Sequence, residues 1–439
     1  MLVLAHVFGC GSEAAKTTRA PKVKAGVPML SSLRLPPVTA ERLDGENDAP
    51  IVVGPNLRAL ATSAGARVVA VDAPPKTRHP LVCDILGFRG ALYVAHAVET
   101  IGRSGARIHR YDLSAGASKR WSLAFDWDRV GAKPDFIGGV GGEGISRLRS
   151  IGGRIYAADS DTPGPGGYGR SKARYEDYLF VSDGKGVFNP LGPGMTPPRN
   201  SKVLPLSFHV FDVIDYRGAL VASGGSGSYP TGPYPGALWV GNESDSILPV
   251  RFELGPRLGV VRTTFMHRFA GRLYIGFQNN WQRGGRPVKF DLAVLSGDPR
   301  RKSTPAPVIA RVTTRGGWLT RRFASAGGVL YWVASRYAKG TAKLFESTDG
   351  VNFGQVDLPG TPGDVQDIVV VGQTRYVLTV NAVYRASERK PFVLVARTPS
   401  PSPFAGDDLF CSAPLVAYGD RLFAGSSVNG MVYEIKPGP

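Results

Sequence analysis

Cysteine is scarce in this chain: Cys10, Cys83 and Cys411 are the three in 439 residues, so it can hold one intramolecular disulfide at most. The six histidines are scattered and form no His-Glu-x-x-His pair, which excludes the zinc helix of that type. No apolar run approaches the about 18 residues that a membrane-spanning helix needs. The formal charge of +18 comes without a block of consecutive basic residues or a cationic stripe interleaved with aromatics, so no specific nucleic-acid partner is expected. The glycine-rich stretch 138–144 lacks the Gly-Lys-Ser/Thr ending of a phosphate loop. Gly224-Gly225-Ser226-Gly227-Ser228 misses the Gly-x-Ser-x-Gly nucleophile elbow. No stretch carries a sustained helical period.

What the chain has instead is a repeat. An apolar residue, a two-residue turn and a small–Leu–Tyr–apolar run recur seven times. Clear copies are Phe88-Arg89-Gly90-Ala91-Leu92-Tyr93-Val94, Ile151-Gly152-Gly153-Arg154-Ile155-Tyr156-Ala157 and Phe269-Ala270-Gly271-Arg272-Leu273-Tyr274-Ile275. Further copies begin at Tyr216, Ala326 and Tyr418, and Val371-Gly372-Gln373-Thr374-Arg375-Tyr376-Val377 is a degenerate one. The spacing suits a four-stranded blade with its loops, and 56 Gly with 35 Pro supply the turns. The expected fold is therefore all-β, a seven-bladed β-propeller spanning residues 41–439, with six or eight blades as the alternatives. A hydrophobic content of 43% is ample for its core.

In the first repeat the strands are expected at Asp84–Phe88, Ala91–His96, Arg107–Leu113 and Trp121–Phe125. The last repeat ends after three strands, and the segment Arg67-Val68-Val69-Ala70-Val71 is the expected fourth, closing the ring and removing its open edge. Aligning the first and seventh copies brings Cys83 and Cys411 near the start of neighbouring inner strands. They are then either a disulfide that pins the seam or two buried thiols.

Two short stretches resemble known families. Leu344-Phe345-Glu346-Ser347-Thr348-Asp349-Gly350-Val351-Asn352-Phe353 resembles the Asp-box (BNR) turn of sialidase-like secreted propellers, and Ser182-Asp183-Gly184 with Phe188 is a weaker copy. The resemblance implies a structural turn in which Ser and Asp bond the backbone while the aromatic packs on the blade. It carries no sialidase activity, because the Arg-Ile-Pro stretch typical of those enzymes is absent. Val7-Phe8-Gly9-Cys10 resembles the end of a bacterial lipoprotein signal, without a basic n-region. It implies export, lipidation at Cys10 and a tether through residue 40, with membrane contact only through the lipid and a place in the cell envelope or outside the cell.

Candidate ligand residues fall where B–C and D–A loops of a propeller emerge: His209, Tyr229, Tyr234, Arg262, Asn280, Trp281, Arg283, Trp318 and Arg321. Aromatic faces beside Asn and Arg can stack sugars and bond their hydroxyls, so the expected function is binding or scaffolding by a monomer, with a glycan or a protein as partner. The alternative is a carbohydrate-active hydrolase or lyase using Asp128, Asp159, Asp161 and Asp212. No cofactor is called for. Asp159-x-Asp161 offers the hard oxygens that calcium takes, but not an EF-hand spacing. Asp84 and Asp212 hold the same repeat position, six residues before Gly90 and Gly218, which suits ordering of the channel by backbone hydrogen bonds better than catalysis.

Overall fold

A computed structural model of the chain describes residues 53–438 apart from 63–64, 72–73, 75–78, 98–105, 117–118, 128–143, 161–178, 191–203, 205–208, 226–235, 243–249, 254–259, 280–290, 301–307, 311–317, 337–340, 388–389 and 407–410. The described strands form seven four-stranded antiparallel sheets whose inner strands touch one after another around a closed ring. The fold is a seven-bladed β-propeller.

From the channel outward, blade 1 is Leu81–Phe88, Ala91–Ala97, Arg107–Asp112 and Trp121–Asp126. Blade 2 is Gly144–Ile151, Arg154–Ser160, Leu179–Ser182 and Asn189–Pro190. Blade 3 follows with Val210–Tyr216, Ala219–Gly224, Ala237–Gly241 and Val250–Glu253. Blade 4 has Val260–Phe269, Arg272–Asn279, Leu292–Leu295 and Val308–Ala310. Trp318–Ala326, Val329–Arg336, Ala342–Ser347 and Gly354–Gln355 make blade 5. In blade 6 the strands are Val365–Val371, Thr374–Thr379, Ala382–Ser387 and Val393–Arg397. Blade 7 takes Leu415–Tyr418, Arg421–Gly425 and Val432–Lys436 from the C-terminus and Arg67–Ala70 from the N-terminal side.

The repeated turn has a plain physical cause. Arg89 and Gly90 have φ of 45° and 81°, Arg217 and Gly218 of 54° and 69°, and Gly327 and Gly328 of 55° and 75°. Two successive positive φ values match the right-handed twist of the flanking strands, which is why these hairpins close in two residues. The apolar residues on either side fill the spaces between blades: Leu86 and Phe88 of blade 1 pack with Leu148, Ile155 and Phe180 of blade 2.

Blade 7 closes the ring. Arg67 pairs with Lys436 and Ala70 with Tyr433 in an antiparallel register, so the last sheet is stitched from both ends of the described chain. Cys83, the bulged residue of the first inner strand, is joined by a disulfide to Cys411, which precedes the strand Leu415–Tyr418 rather than lying in it. Val82 N donates to Ser426 O (2.8 Å) and Gly430 N to Pro80 O (2.7 Å), tying the 426–430 loop of blade 7 to blade 1.

One expectation is corrected. A helix does form, Pro55–Thr62, although no helical period is sustained in the sequence. Eight residues are too few to be stable alone, and tertiary contacts hold it. Leu57 and Leu60 are buried against blades 6 and 7. Asp420, from the blade 7 hairpin turn, accepts from the N–H groups of Asn56 (2.8 Å) and Leu57 (3.0 Å), and Arg385 donates to Leu60 O. The caps come from more than 300 residues away, so the local sequence carries no trace of them.

The Ser347–Phe353 turn has the local bonding its residues suggest. Asp349 Oδ1 accepts from Ser347 Oγ and from the N–H groups of Val351 and Asn352, each at 2.8 Å, while Phe353 lies edge-on to Trp332. Gly350 has φ of 70°, and a Cβ there would lie 1.8 Å from Tyr274 Oη of blade 4. At Gly184, with φ of 81°, a Cβ would lie 2.3 Å from the Phe88 ring of blade 1. Both turns thus press a glycine against the preceding blade.

Replacing both Cys83 and Cys411 with Ser is expected to lower unfolding free energy by roughly 3–5 kcal/mol, since the closed loop spans 328 residues. Gly350→Ala combines left-handed strain with overpacking and should cost about 2–4 kcal/mol. Guanidinium denaturation measures both, and an unchanged midpoint for either variant would contradict its assigned role.

Candidate functional site

The channel is occupied by charge. Each inner strand from blades 1 to 6 has a bulge followed by an ionisable residue: Asp84, Arg147, Asp212, Arg262, Arg322 and Asp367, and blade 4 has a second bulge, followed by Met266. A bulge bends the strand and re-aims the side chain that follows. Asp84 Oδ2 accepts from Leu148 N (2.7 Å), Asp212 Oδ2 from Met266 N (2.8 Å) and Asp367 Oδ2 from Leu415 N (2.7 Å). In every case the carboxylate of one blade captures a main-chain N–H of the next.

Arginines neutralise these carboxylates. Arg149 meets Asp212 in a two-pronged pair, Nε to Oδ1 at 2.9 Å and Nη2 to Oδ2 at 2.7 Å, and also donates to Met266 O. Arg322 of blade 5 reaches Asp84 of blade 1 at 2.9 Å, Asp367 of blade 6 at 3.5 Å and the carbonyl of Cys83 at 2.8 Å. Its guanidinium carbon lies 5.7 Å from the centre of the Phe265 ring of blade 4. Blades 5 and 1 stand on opposite sides of a seven-membered ring, so Arg322 crosses the channel axis. Burial pushes the Asp367 carboxyl up to about 7, against the pull of Arg322 and of the Leu415 and Ile368 N–H donors.

At the end of the channel where the inner strands begin, His209 and Arg262 come together, with Arg262 Nη2 donating to His209 Nε2 at 2.8 Å. His209 precedes its strand, has φ of 73°, and stacks on Phe211. Burial, and then the charge of Arg262, hold it well below the usual histidine range, so its ring is neutral. Arg321 is buried and donates to Ser335 Oγ (3.0 Å). Trp318 is turned into blade 5, edge-on to Phe345 and covered by Arg336, so its ring offers no open stacking face.

The carboxylate candidates divide. Asp212 is fully buried in the bonds above, and Asp159 is fully buried with Oδ1 accepting from the Trp127 indole at 3.0 Å. Asp128, Asp161, Tyr229, Tyr234, Asn280, Trp281, Arg283 and Cys10 lie outside the described residues. Among the described residues, no three His, Cys, Asp or Glu side chains gather as a metal site. Arg322, next in sequence to the candidate Arg321, is set by the structure in the channel. Reasoning from sequence missed Asp367, whose repeat position was hidden because Gln373 stands where five of the other copies have Gly.

A second buried cluster lies at the seam. In the tautomers that satisfy both contacts, His109 Nδ1–H donates to His96 Nδ1 (3.1 Å) and His96 Nε2–H donates to Gly430 O of blade 7 (2.9 Å). Burial pushes His96 down to about 4 and His109 down to about 3, the positive charge of a protonated neighbour adding to the effect on His109.

No protein-family model matches the chain, and no curated protein matches it by sequence. Solved structures do share its fold. One is the extracellular domain of the hybrid two component system BT4673 from B. thetaiotaomicron, with a TM-score of 0.50 and 9% identity, over 83% of this chain and 39% of that one. The chain therefore spans well under half of that protein's length. Others are the WD40 domain of Neurospora crassa Pan2 (TM-score 0.49, 12% identity, 86% and 98% covered) and polysaccharide lyase Uly1 (TM-score 0.45, 12% identity, 83% and 92% covered).

Asp212→Ala strands Arg149 in the channel and should cost about 3–5 kcal/mol. Lowering the pH tests the histidine pair. Both folded pKa values lie below the unfolded 6.5, so their contribution is complete above pH 6.5 and is lost as pH falls toward 4. Asp367, raised rather than lowered, acts in the opposite sense over the same window, so wild type must be compared with His96→Gln/His109→Gln. The difference in Tm between the two proteins should shift steadily against wild type from pH 6.5 to 4.5. A pH-independent difference would contradict it.

Proposed function

We propose that this protein is an exported binding module that recognises a glycan or a protein partner across the end of the propeller where the inner strands begin. The observation that supports binding over catalysis is the condition of the carboxylates. Asp84, Asp159, Asp212 and Asp367 are buried and bonded to arginines, backbone N–H groups or the Trp127 indole. General acid–base work needs a carboxyl group within reach of the substrate, and glycoside hydrolysis needs two of them about 5–9 Å apart. Of the four candidate carboxylates, Asp128 and Asp161 alone remain for a hydrolase or lyase.

Arg262, half-buried and held by the buried His209 that stacks on Phe211, gives the recognition surface a fixed polar group, and the sequence further supplies Tyr229, Tyr234, Asn280, Trp281 and Arg283. Such a set suits sugar hydroxyls and ring faces. In the same reading Cys10 carries a lipid that tethers the propeller to the cell envelope, and the Ser347–Phe353 turn is of the Asp-box kind. Among the described residues no helix is long and apolar enough to cross a membrane. The names of two structures of similar fold, an extracellular domain and a polysaccharide lyase, agree with this reading without deciding it.

The test incubates the full chain with neutral and acidic oligosaccharides, with and without calcium, following Tm and product masses together. A glycan that raises Tm without yielding new masses, and whose affinity drops about tenfold or more in Arg262→Gln, is the expected result. New product masses would make the protein an enzyme and direct attention to Asp128 and Asp161. Absence of any response would favour a protein ligand.

A further inference from the structure

At the end of the propeller that carries the two-residue turns, a pocket of about 480 Å³ opens on blade 7, with Arg67, Arg421, Lys436 and Glu434 in its lining. Arg67 stands directly opposite Lys436 across one strand pair. On the other side, the register that sets Leu422 against Ile435 brings Arg421 opposite Lys436 one step further on. Residues opposite one another share a face of the sheet, so three neighbouring strands present three cations in one row. Glu434, two residues from Lys436 and on the same face, is the one carboxylate of the lining.

That carboxylate is already engaged. Arg421 Nε and Nη2 donate to its two oxygens, each at 2.7 Å, and Lys436 Nζ lies 3.5 Å from Oε2. The Arg421 guanidinium carbon is also 4.7 Å from the centre of the Phe423 ring, so this side chain is held from two directions. Among the described residues Arg67 makes no ion pair and no side-chain hydrogen bond. Like charges directly opposite on a sheet are destabilising, and here three cations leave two positive charges uncompensated. Protection of a sheet edge accounts for a cation on the outermost strand, where Arg67 lies. It does not account for Lys436 and Arg421, which lie on the second and third strands.

We propose that this pocket binds a phosphate group, as the free ion or as a monoester, with Arg67 and Lys436 donating to its oxygens and Arg421 adding a fixed charge. A phosphate monoester carries about −1.5 to −2 near pH 7 and three strong acceptor oxygens, which matches the excess in the lining. A guanidinium fork takes two such oxygens at once. The volume leaves room for the group to which the phosphate is attached. The site lies at the opposite end from the recognition surface proposed above and stands whether or not that reading holds.

Calorimetry on the full chain at constant ionic strength, with inorganic phosphate, glucose 6-phosphate and dimethyl phosphate, tests the site. Flotation with phosphatidylcholine vesicles, with and without phosphatidic acid, tests the lipid source. Saturable binding of one inorganic phosphate per chain is expected, and at least tenfold weaker binding of dimethyl phosphate, a diester of single charge. Arg67→Gln and Lys436→Gln should each weaken phosphate binding at least tenfold. Both side chains are exposed, and each change removes a repulsive charge, so Tm in phosphate-free buffer should hold or rise. Arg154→Gln, at an exposed arginine of blade 2 at the same end, should leave affinity within twofold. Glucose 6-phosphate bound at least as tightly as phosphate makes a soluble ester the ligand. Flotation that needs phosphatidic acid, is reversed by phosphate and is lost in Arg67→Gln makes it a lipid headgroup, and phosphate binding without either makes it the free ion. No phosphate binding, equal binding of the diester, an equal loss in Arg154→Gln, or indifference to both Arg67→Gln and Lys436→Gln overturns the proposal.

Discussion

The meeting of Arg322 with Asp84 and Asp367 is the interaction on which the ring depends. A propeller has no central element, so its inner strands converge on an axis where polar main chain would face an empty channel. In this protein the axis is filled by guanidinium and carboxylate groups that satisfy one another. Arg322 alone binds blades 5, 6 and 1 and lies over an aromatic ring of blade 4. Because the charges are buried, each is costly without its partner, and a ring that lost one member would be left with an uncompensated ion. The network therefore favours one arrangement of blades over any other.

The same position in successive blades serves opposite chemistry. After the bulge, blades 1, 3 and 6 place an Asp that accepts a hydrogen bond from the next blade, and blades 2, 4 and 5 place an Arg. The pattern explains why a conspicuous set of carboxylates near the channel offers so little to a reacting molecule. They are spent on cohesion between blades. In the proposed function, cohesion and recognition fall to different residues, as the use of one scaffold for many purposes requires.

Closure is the other demand of the architecture, and it is met in several chemically different ways at one seam. Strand pairing supplies the outer edge of blade 7, a disulfide joins the inner ends, histidines and main-chain bonds hold the 426–430 loop, and a capped helix wedges beneath. Only the disulfide is covalent. The rest are short-range contacts between segments more than 300 residues apart, which become favourable only once the other blades have formed. The cationic pocket of blade 7 exists only through this stitching, which sets Arg67 beside Lys436.

The sequence by itself determined the blades. Two-residue turns of positive φ and alternating apolar strands are local properties, so the copies at Phe88, Ile151 and Phe269 announced their hairpins, and Arg67–Ala70 was legible as the strand that the last repeat lacks. The shared position of Asp84 and Asp212 was legible too, as a structural rather than a catalytic one. What only the tertiary structure decided is which side chains meet across the ring. Nothing near Arg322 in sequence tells that it crosses the axis to Asp84. No local pattern reveals that Asp420 caps a helix some 360 residues earlier, or that Trp318 turns inward while His209 meets Arg262. Periodicity follows from the geometry of a single strand, whereas partnership depends on where seven blades bring distant strands, and that is set only when the ring closes.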